Sequence, residues 1–461
     1  MSKWNSNTEK FHKIRRLTPA QIIIFGFFGV ITVGAIFLML PISSVNRVFT
    51  NPLTAYFTST SATCVTGLVL VDTDIYWSSF GKTVILTLIQ IGGLGIMSMA
   101  MMFNILLNRR VTPKERVVFV QSMNLFSGEK MFSFIKNMLA FTFTFEGLGA
   151  LLLSFKFIPM FGFGEGVSKS IFHSVSAFCN AGFDIFGRFS GKFSSLEFFA
   201  DDLYVNLVIG FLIICGGLGF IVWYDIYKAI KEHRKLMLYS KMVLTISAFL
   251  IISGAIIFSA TEWNNPATMG EASVGGKFLR SLFMSITCRT AGFSTIPLAD
   301  LDGSSKVLAM ALMFIGGSSG STAGGIKTVT FAIIIISVFQ ITRGNKDVNI
   351  RKHRVESNII LRAFALMIIA GIMVMLSSFI LSFTEKGQDF INVAFEAFSA
   401  FGTVGLSTGV TPDLSNIGQL VLIALMFFGR VGIITITYAI LMGLDSDKQN
   451  FRYPKANICI G

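Results

Sequence analysis

The sequence contains 461 residues, of which 53% are hydrophobic and only 14% are charged, and its mean hydropathy is +0.70. A soluble domain carries about 25% charged residues, so this composition excludes an ordinary soluble fold. Several runs reach the roughly 20 apolar residues that a helix needs to cross a bilayer. The net charge of +13 would suggest a nucleic-acid partner in a soluble protein, but in a multi-pass membrane protein it predicts topology instead.

Basic residues are concentrated in five segments, whereas the connections between these segments are rich in Asp and Glu. The positive-inside rule places the basic segments, and with them both termini, on the cytoplasmic side of the cell membrane. The first apolar run is long enough to remain as a span, so we expect no cleavable signal peptide. The basic segments are residues 3–16, 109–136, 228–241, 343–362 and 448–455.

The apolar runs form four pairs of predicted transmembrane spans. Within each pair lies a segment of about 12 residues, which is too short to cross the bilayer. We expect each of these segments to form a re-entrant helix. The first spans are predicted at residues 20–40, 138–158, 242–260 and 358–383, the second spans at 82–107, 203–230, 306–341 and 417–443, and the re-entrant helices at 51–63, 167–178, 276–287 and 389–401.

The basic connection follows the second span every time, so all four repeats share one orientation. The predicted fold is an all-α membrane protein in which four parallel repeats surround a pseudo-fourfold axis, with eight transmembrane helices and four re-entrant pore loops. Residues 1–443 form one pore domain, and residues 444–461 form a cytoplasmic tail. The repeats cover about residues 20–107, 138–230, 242–341 and 358–443.

Each re-entrant segment ends on a short strip centred on a glycine, and we number the strips one to four. Glycine permits backbone conformations that are closed to other residues, and a ring of inward carbonyls replaces the water shell of a dehydrated cation. The C-terminal ends of the four helices add negative dipole charge at the same centre. The candidate ion-binding residues are Val65, Thr66 and Gly67 in strip one, Asn180, Ala181 and Gly182 in strip two, Thr290, Ala291 and Gly292 in strip three, and Thr403, Val404 and Gly405 in strip four.

The second spans share a glycine motif, which is Gly92-Gly93 in the first repeat and Gly216-Gly217 in the second. For these two copies the simpler interpretation is close helix packing through small residues, so repeats one and two are predicted to be scaffold. The third copy extends into ten small or polar residues that should break the helix in mid-membrane. We expect this segment, residues 316–327, to be a mobile flap beneath the strips. Its candidate gating residues are Gly316, Gly317, Ser318, Ser319, Gly320, Ser321, Thr322, Ala323, Gly324, Gly325 and Lys327.

In the fourth copy of the motif Arg430 replaces a glycine. A cationic side chain at the centre of a span costs about 3 kcal/mol on insertion scales, so Arg430 is expected to face a cavity. We interpret it as a gate residue, a positive barrier that pairs with flap carbonyls. Arg289 is expected to satisfy carbonyls behind strip three, with Glu396 as its candidate partner.

These features resemble the Trk/Ktr/HKT superfamily of potassium transporters. The resemblance covers about residues 20–443, and its most specific parts are residues 290–295, which read TAGFST, and the flap. The chain begins directly with repeat one, which is similar to the membrane (pore) subunit of bacterial Ktr-type uptake systems.

The resemblance implies gated K⁺ uptake, and it leaves Na⁺ stimulation open. It also implies a homodimer with one pore per chain, and a cytoplasmic nucleotide-binding (RCK-type) ring that docks on the basic inner face and works the flap. The filter glycines of the family correspond to the glycines of the four strips, and its gate arginine corresponds to Arg430. Only strip four reads Thr-Val-Gly, so the filter is expected to be less strictly fourfold in its side chains.

Two other classes of function compete with a gated pore. A secondary carrier of the Na⁺/K⁺ symport type needs a midplane carboxylate, for which Glu146 is the candidate in a span. An enzyme is disfavoured because the sequence contains no catalytic triad, metal cluster or acid pair, and its five cysteines have no metal-ligand spacing. The segment from Gly320 to Thr328 looks like a phosphate loop but has one inserted residue before Lys327 and no soluble α/β context. No organic cofactor and no nucleic acid are expected.

Overall fold

The computed structural model describes residues 18–96, 98, 99, 117, 119, 131–345 and 347–432. The ends of two predicted second spans, beyond residues 99 and 432, and the predicted cytoplasmic tail lie outside these residues. In chain order the elements are α1 (Pro19–Met39), α2 (Pro52–Thr63), α3 (Thr73–Tyr76), α4 (Ser79–Leu94), α5 (Met131–Phe161), α6 (Phe163–Cys179), α7 (Gly187–Ser190), α8 (Leu203–Leu218), α9 (Phe220–Lys231), α10 (Leu238–Glu262), α11 (Val274–Thr287), α12 (Gly303–Phe314), α13 (Thr328–Thr342), the antiparallel hairpin β1 (Asn349–Ile350) and β2 (His353–Arg354), α14 (Ser357–Thr384), α15 (Phe390–Gly402) and α16 (Asn416–Val431).

The four predicted first spans are confirmed as α1, α5, α10 and α14, each of which is long and apolar enough to cross a membrane. The four predicted re-entrant segments form α2, α6, α11 and α15, with 12 to 17 residues each. Polar caps fix the starts of two of them, since Asn51 and Ser273 accept backbone N–H groups of the first turn. Every re-entrant helix runs directly into its strip, as the sequence predicts.

The second spans differ from the prediction, because the chain breaks where continuous helices were expected. The predicted span 203–230 consists of α8 and α9, which are bent by 91° at Gly219. Gly95 and Gly432, which end α4 and α16, also have positive φ angles, of +83° and +90°. A left-handed glycine ends a helix because the next residue can no longer continue the hydrogen-bond ladder. In repeats one, two and four, a glycine with positive φ thus ends the helix directly after the packing motif. In repeat three the chain breaks at the flap.

The first spans hold the re-entrant helices through a joint that recurs in three repeats. A glycine on the first span faces a serine on the re-entrant helix and a leucine on the second span, and the serine donates to a carbonyl one turn before the glycine. Close approach of this kind is typical of helix packing in membranes. The joints are Gly34 with Ser59, which bonds Ile31 O at 2.7 Å, Gly149 with Ser174, which bonds Glu146 O at 2.6 Å, and Gly254 with Ser285, which bonds Ile251 O at 2.8 Å.

The fourth repeat has small apolar residues instead of the glycine and the serine. Ala397 stands eight residues before the glycine of its strip, as Ser59 and Ser174 do in theirs, and it packs in one apolar cluster with Ala370 of α14. Both alanines are completely buried. The joint therefore needs small residues in every repeat, whereas its hydrogen bond is present in three.

Polar contacts link successive repeats around the outer rim. They are backbone-to-carboxylate bonds between repeats one and two, a two-pronged ion pair between repeats two and three, and a lysine–amide bond between repeats three and four. The pairs are Phe193 N–H with Asp72 (2.9 Å), Arg280 with Asp201 (3.0 and 2.8 Å) and Lys306 with Asn392 (3.0 Å).

The joint yields a direct test on α5. A Cβ on Gly149 would lie 2.5 Å from Ser174 Oγ and 2.6 Å from Leu212, whereas a Cβ on Gly147 would meet nothing within 4 Å. Gly149→Val should destabilise the fold by about 1–3 kcal/mol because overpacking displaces α6. Thermal unfolding of the detergent-purified protein should show a lower midpoint for Gly149→Val than for the matched control Gly147→Val. Equal midpoints would contradict the joint.

Candidate functional site

The four strips close into one ring. Each filter glycine lies against the carbonyl oxygen of the residue before the glycine of the following strip, so closely that a Cβ would overlap it. Strip four contacts strip one in the same way, which closes the circle. The pairs are Gly67 with Ala181 O, Gly182 with Ala291 O, Gly292 with Val404 O and Gly405 with Thr66 O. Strips two and four therefore face each other across the axis, as do strips one and three.

All four strips share one backbone conformation although their side chains differ. Each filter glycine has a positive φ angle, between +67° and +96°, and so does the residue two positions before it, between +50° and +66°. The residue between them has negative φ in every strip. Alternation of left-handed and right-handed residues points successive backbone dipoles to the same side. The ring is therefore fourfold in its backbone, even where strip two carries Asn180 and Ala181.

Left-handed conformations are costly for residues other than glycine, and most of all for a β-branched residue such as Val65. The strips are held in this conformation by hydroxyl groups near the ends of the re-entrant helices. In strips one and four the hydroxyl accepts the N–H of the filter glycine, whereas in strips two and three it donates to the carbonyl of the next residue. The pairs are Ser61 with Gly67 N–H (3.0 Å), Ser399 with Gly405 N–H (3.1 Å), Ser176 with Phe183 O (2.7 Å) and Thr287 with Phe293 O (2.6 Å).

The sequence-based prediction did not include these hydroxyl residues. A signal was present, since a serine stands six residues before the filter glycine in repeats one, two and four. In repeat three the threonine stands five residues before it. The register differs because the Ala291 N–H bonds to the fourth residue back, Thr287, at 3.0 Å, whereas the corresponding N–H in the other strips bonds to the fifth.

The glycine motifs of the second spans pack against the ends of the re-entrant helices. A Cβ on Gly92, Gly216 or Gly429 would overlap a carbonyl oxygen four residues before a filter glycine. This confirms the interpretation of the motif as close packing. The same carbonyl is contacted in repeats one, two and four, so the second spans support the ring from below.

The flap lies across the inner side of the ring. Its two ends are joined by Gly316 N–H and Ile326 O, which are 2.8 Å apart. Its Ser318 N–H bonds to Gly217 O of α8 at 3.1 Å, and Thr322 Oγ1 donates to Phe178 O at 3.3 Å, just before strip two. Repeat two therefore carries part of the flap's seat.

The opposite side of the flap touches strip four. A Cβ on Gly324 would overlap the hydroxyl of Thr403, which has no hydrogen-bond partner within the part of the chain that the structure describes. Lys327 Nζ donates within the flap, to Ala323 O at 2.8 Å. Tyr239 of α10 donates to Ser319 O at 3.0 Å. The flap is thus fixed by a helix of its own repeat and by two opposite strips.

Arg430 joins the flap to two second spans. Its Nη1 donates to Thr322 O, and its Nη2 donates to Gly92 O and, at 3.4 Å, to Gly93 O. Its hydrogen-bond partners are backbone carbonyls, which carry partial negative charge but do not neutralise the guanidinium. An intramembrane arginine held in this way usually faces the bundle interior or a cavity. The positive charge therefore lies beneath the ring, next to the flap.

Comparison with known proteins agrees with this geometry. The family described as "TrkH: Cation transport protein" matches residues 2–452. The chain belongs to the TrkH family of cation transport proteins. Among its relatives, the potassium/sodium uptake protein NtpJ of Enterococcus hirae is 40% identical over 97% of this chain and 98% of its own length. The Ktr system potassium uptake protein B of Bacillus subtilis is 38% identical over 98% and 99%.

A solved structure supports the fold of this TrkH family member. The potassium transporter TrkH from Vibrio parahaemolyticus superposes with a TM-score of 0.74, over 95% of this chain and 86% of that chain. Its sequence identity is 17%, so the likeness concerns architecture alone. The all-α membrane fold predicted from the sequence is confirmed.

Outside the ring lies a cavity of about 380 Å³, lined by the four filter glycines. Its other walls carry the carboxylates of Asp72, Asp184 and Asp413 and the ammonium group of Lys192. A cleft in which one sign of charge prevails raises the local concentration of the opposite ion. This end of the ring in the TrkH family protein, which lies opposite the flap, therefore favours cations.

The carboxylates near the mouth differ in their ionisation. Burial, to which the nearby charges of Asp72 and Asp74 add, raises the pKa of Asp184 to about 7. Burial also acts on Asp74, but hydrogen bonds from Lys82 and from the Arg188 N–H outweigh it and hold the pKa of Asp74 below its ordinary value. Asp74 thus stays ionised at neutral pH, whereas Asp184 takes up a proton at a higher pH than an ordinary carboxyl group does.

The predicted pairing of Arg289 with Glu396 is wrong. Glu396 accepts hydrogen bonds from residues that follow strip four, among them Thr411 Oγ1 at 2.5 Å. Arg289 is buried behind strip three, with one long hydrogen bond to Ser247 O at 3.5 Å. The sequence places both residues beside strips, but they belong to different strips, and each bonds to its own surroundings.

The contact between neighbouring strips predicts unequal effects for two glycines of one loop. Gly405 and Gly409 have φ angles of +93° and +94°, so an alanine at either should cost on the order of 1 kcal/mol. A Cβ would overlap Thr66 O at Gly405 but meets nothing within 4 Å at Gly409. Cation flux into proteoliposomes should therefore be lost in Gly405→Ala and retained in Gly409→Ala. Equal flux in the two variants would contradict the ring.

Proposed function

We propose that this chain is the pore subunit of a K⁺ uptake system, through which K⁺ crosses the cell membrane in a gated, channel-like way. The observation that carries the proposal is the closed ring of four glycine-centred strips with one shared backbone conformation, from which we infer that the carbonyls of the strips face the axis. Carbonyl rings replace the hydration shell of K⁺. The relatives described above bear the names of potassium and potassium/sodium uptake proteins, which supports K⁺ as the cargo and keeps Na⁺ as a second candidate ion.

The gate in this proposal is the flap together with Arg430. A flap that rests on strips two and four closes the path below the ring, and a guanidinium bound to carbonyls opposes the approach of a cation. Release of Thr322 O from Arg430 would free one end of the flap. The small residues of the flap permit such a change without a large loss of packed side-chain area.

We infer a cytoplasmic regulatory partner, an RCK-type nucleotide-binding ring, that moves the flap. The name "Ktr system" of the relatives implies more than one component. The described inner face is basic, with exposed Lys231, Lys235 and Lys352, and it attracts an acidic surface. Because the ring of strips is complete within one chain, each protomer of the proposed homodimer contains its own pore, with both termini in the cytoplasm.

No observation favours the alternative of a carboxylate-based carrier. Glu146 is buried behind strip two, where it accepts from Gln90 Nε2 at 3.2 Å and lies 3.7 Å from Cys179 Sγ. Glu146 lies on the side of strip two that faces away from the central axis, on which the four glycines meet. We therefore do not expect Glu146 to couple the movement of two ions. For the same reason, neutralising Glu146 should not abolish uptake through a loss of coupling.

Ion uptake tests the proposed function directly. Proteoliposomes that contain the native chain should take up ⁸⁶Rb⁺ in preference to ²²Na⁺. In Gly292→Ser the added side chain overlaps Val404 O, so ⁸⁶Rb⁺ uptake should fall by an order of magnitude or more and the preference over ²²Na⁺ should shrink. If the native chain moves neither ion, alone or with its cytoplasmic partner, the proposal fails.

The gate is tested by Arg430→Gln, measured without the regulatory partner. The amide keeps some hydrogen bonding but removes the positive charge, so basal ⁸⁶Rb⁺ flux should rise. Arg362→Gln is the matched control, because Arg362 is exposed on α14 and its loss should leave basal flux unchanged. An unchanged flux in Arg430→Gln would reject Arg430 as a barrier.

A further inference from the structure

The side chain nine residues before the filter glycine lies behind each strip, and the four repeats use four different residues there. All four side chains are buried, with at most 2% exposure. Three of them carry a hydrogen-bond acceptor, and in repeats two and four that acceptor takes a backbone N–H from the segment that follows the strip. The residues are Thr58, His173, Phe283 and Glu396 in repeats one to four.

His173 binds the outgoing strand of strip two through one defined tautomer. Its Nδ1 lies 2.7 Å from Lys169 O, and since a carbonyl only accepts, Nδ1 carries the proton. The Nε2 of the neutral ring is therefore an acceptor, and it takes the Ile185 N–H at 3.3 Å. The ring is fixed in addition by stacking on Phe186, with the ring centroids 4.1 Å apart.

Glu396 makes the equivalent bond in strip four. Its Oε1 accepts the Thr408 N–H at 2.9 Å, and Thr408, like Ile185, is the third residue after the filter glycine. The carboxylate also accepts the hydroxyls of Ser407 at 2.8 Å and Thr411 at 2.5 Å. Hydroxyl and backbone donors thus balance a buried carboxylate, without an ion pair to any described basic residue.

Strips one and three lack this bond. Phe283 has no acceptor, and the Thr58 hydroxyl has no hydrogen-bond partner among the described residues. Since strips two and four face each other across the ring, the bonded strips form one diagonal and the unbonded strips form the other. The flap rests on the bonded diagonal, through Thr322 below strip two and Gly324 below strip four.

We propose that His173 and Glu396 are positioning residues that hold strips two and four apart and thereby set the discrimination between K⁺ and Na⁺. This inference rests on the proposed function of the ring as the filter. Strips two and four, the tied diagonal, have this bond from their own re-entrant helix in addition to the hydroxyl contact that all four strips share, so they resist inward movement around a smaller ion more than strips one and three do. The tied diagonal therefore fixes one width of the pore at the size of K⁺, and the firm strips also provide the seat of the closed flap.

The test measures the ratio of ⁸⁶Rb⁺ to ²²Na⁺ uptake in proteoliposomes of the full chain. Glu396→Ala and His173→Ala should each lower the ratio by about tenfold, the factor that corresponds to the loss of one well-placed hydrogen bond. The loss should come from higher Na⁺ uptake and a higher KM for Rb⁺, with little change in its maximal rate. Thr58→Val is the matched control, because it removes a hydroxyl without a partner at the same position of strip one.

Rescue by glutamine separates positioning from folding. In Glu396→Gln the amide oxygen still accepts the Thr408 N–H, and the amide NH₂ donates to Thr411 Oγ1, so the ratio should stay near the native value. In His173→Gln the side-chain oxygen can likewise accept the Ile185 N–H. If an alanine variant does not reach the membrane, Thr411→Val weakens the hold on Glu396 more mildly and should lower the ratio to an intermediate value.

Two results overturn the inference. One is an unchanged uptake ratio in Glu396→Ala and His173→Ala, while Gly292→Ser still abolishes ⁸⁶Rb⁺ uptake. Where the alanine variants are not recovered, an unchanged ratio in Thr411→Val has the same meaning. The ring would then select K⁺ without a contribution from His173 and Glu396. The other is an equal fall in Thr58→Val, which would show that any change behind the strips has this effect. Absence of uptake by the native chain would instead refute the proposed function itself.

Discussion

The structure depends on one close contact, repeated four times, between a filter glycine and the carbonyl of the neighbouring strip. No side chain fits between them, so glycine at residues 67, 182, 292 and 405 is required by space as well as by backbone conformation. The contact also fixes the order of the repeats around the axis. The re-entrant helices, their joints with the first spans and the hydroxyl groups behind the strips bring the four strips together in this ring.

Non-helical backbone at membrane depth is tolerated only inside protein or beside water, and the chain meets this condition in layers. In three repeats the first span holds the re-entrant helix through a glycine–serine joint, and hydroxyl groups near the helix ends hold all four strips. Below the ring, glycines of the second spans pack against backbone carbonyls at the ends of the re-entrant helices. These contacts are made by Ser, Thr and Gly, which are small enough for close approach and polar enough to pair backbone groups in an apolar environment.

The order of charges along the axis is the one that a gated cation pore needs. Carboxylates surround the outer cavity, neutral carbonyls and helix dipoles form the ring, and the guanidinium of Arg430 lies beneath it. Because Arg430 is bound by carbonyls of α4 and of the flap, its position depends on whether the flap is in place. In this interpretation the fourfold backbone of the ring conducts the ion. Features that depart from fourfold symmetry control the passage of the ion and discriminate between K⁺ and Na⁺, and these are the flap, Arg430, His173 and Glu396.

The sequence by itself determined the membrane class, the four repeats, the re-entrant helices and the glycines of the strips, because these depend on apolar run length and on local backbone requirements. It also located the flap and Arg430, since small residues and a charge stand out within apolar spans. Only the tertiary structure decided which strips face each other, that Glu396 bonds to Ser407, Thr408 and Thr411 rather than Arg289, and that α8 and α9 are bent at Gly219. The first two features join residues that are remote in the chain, and the bend depends on the positive φ angle of Gly219. Neither hydropathy nor the spacing of residues in the sequence encodes such information.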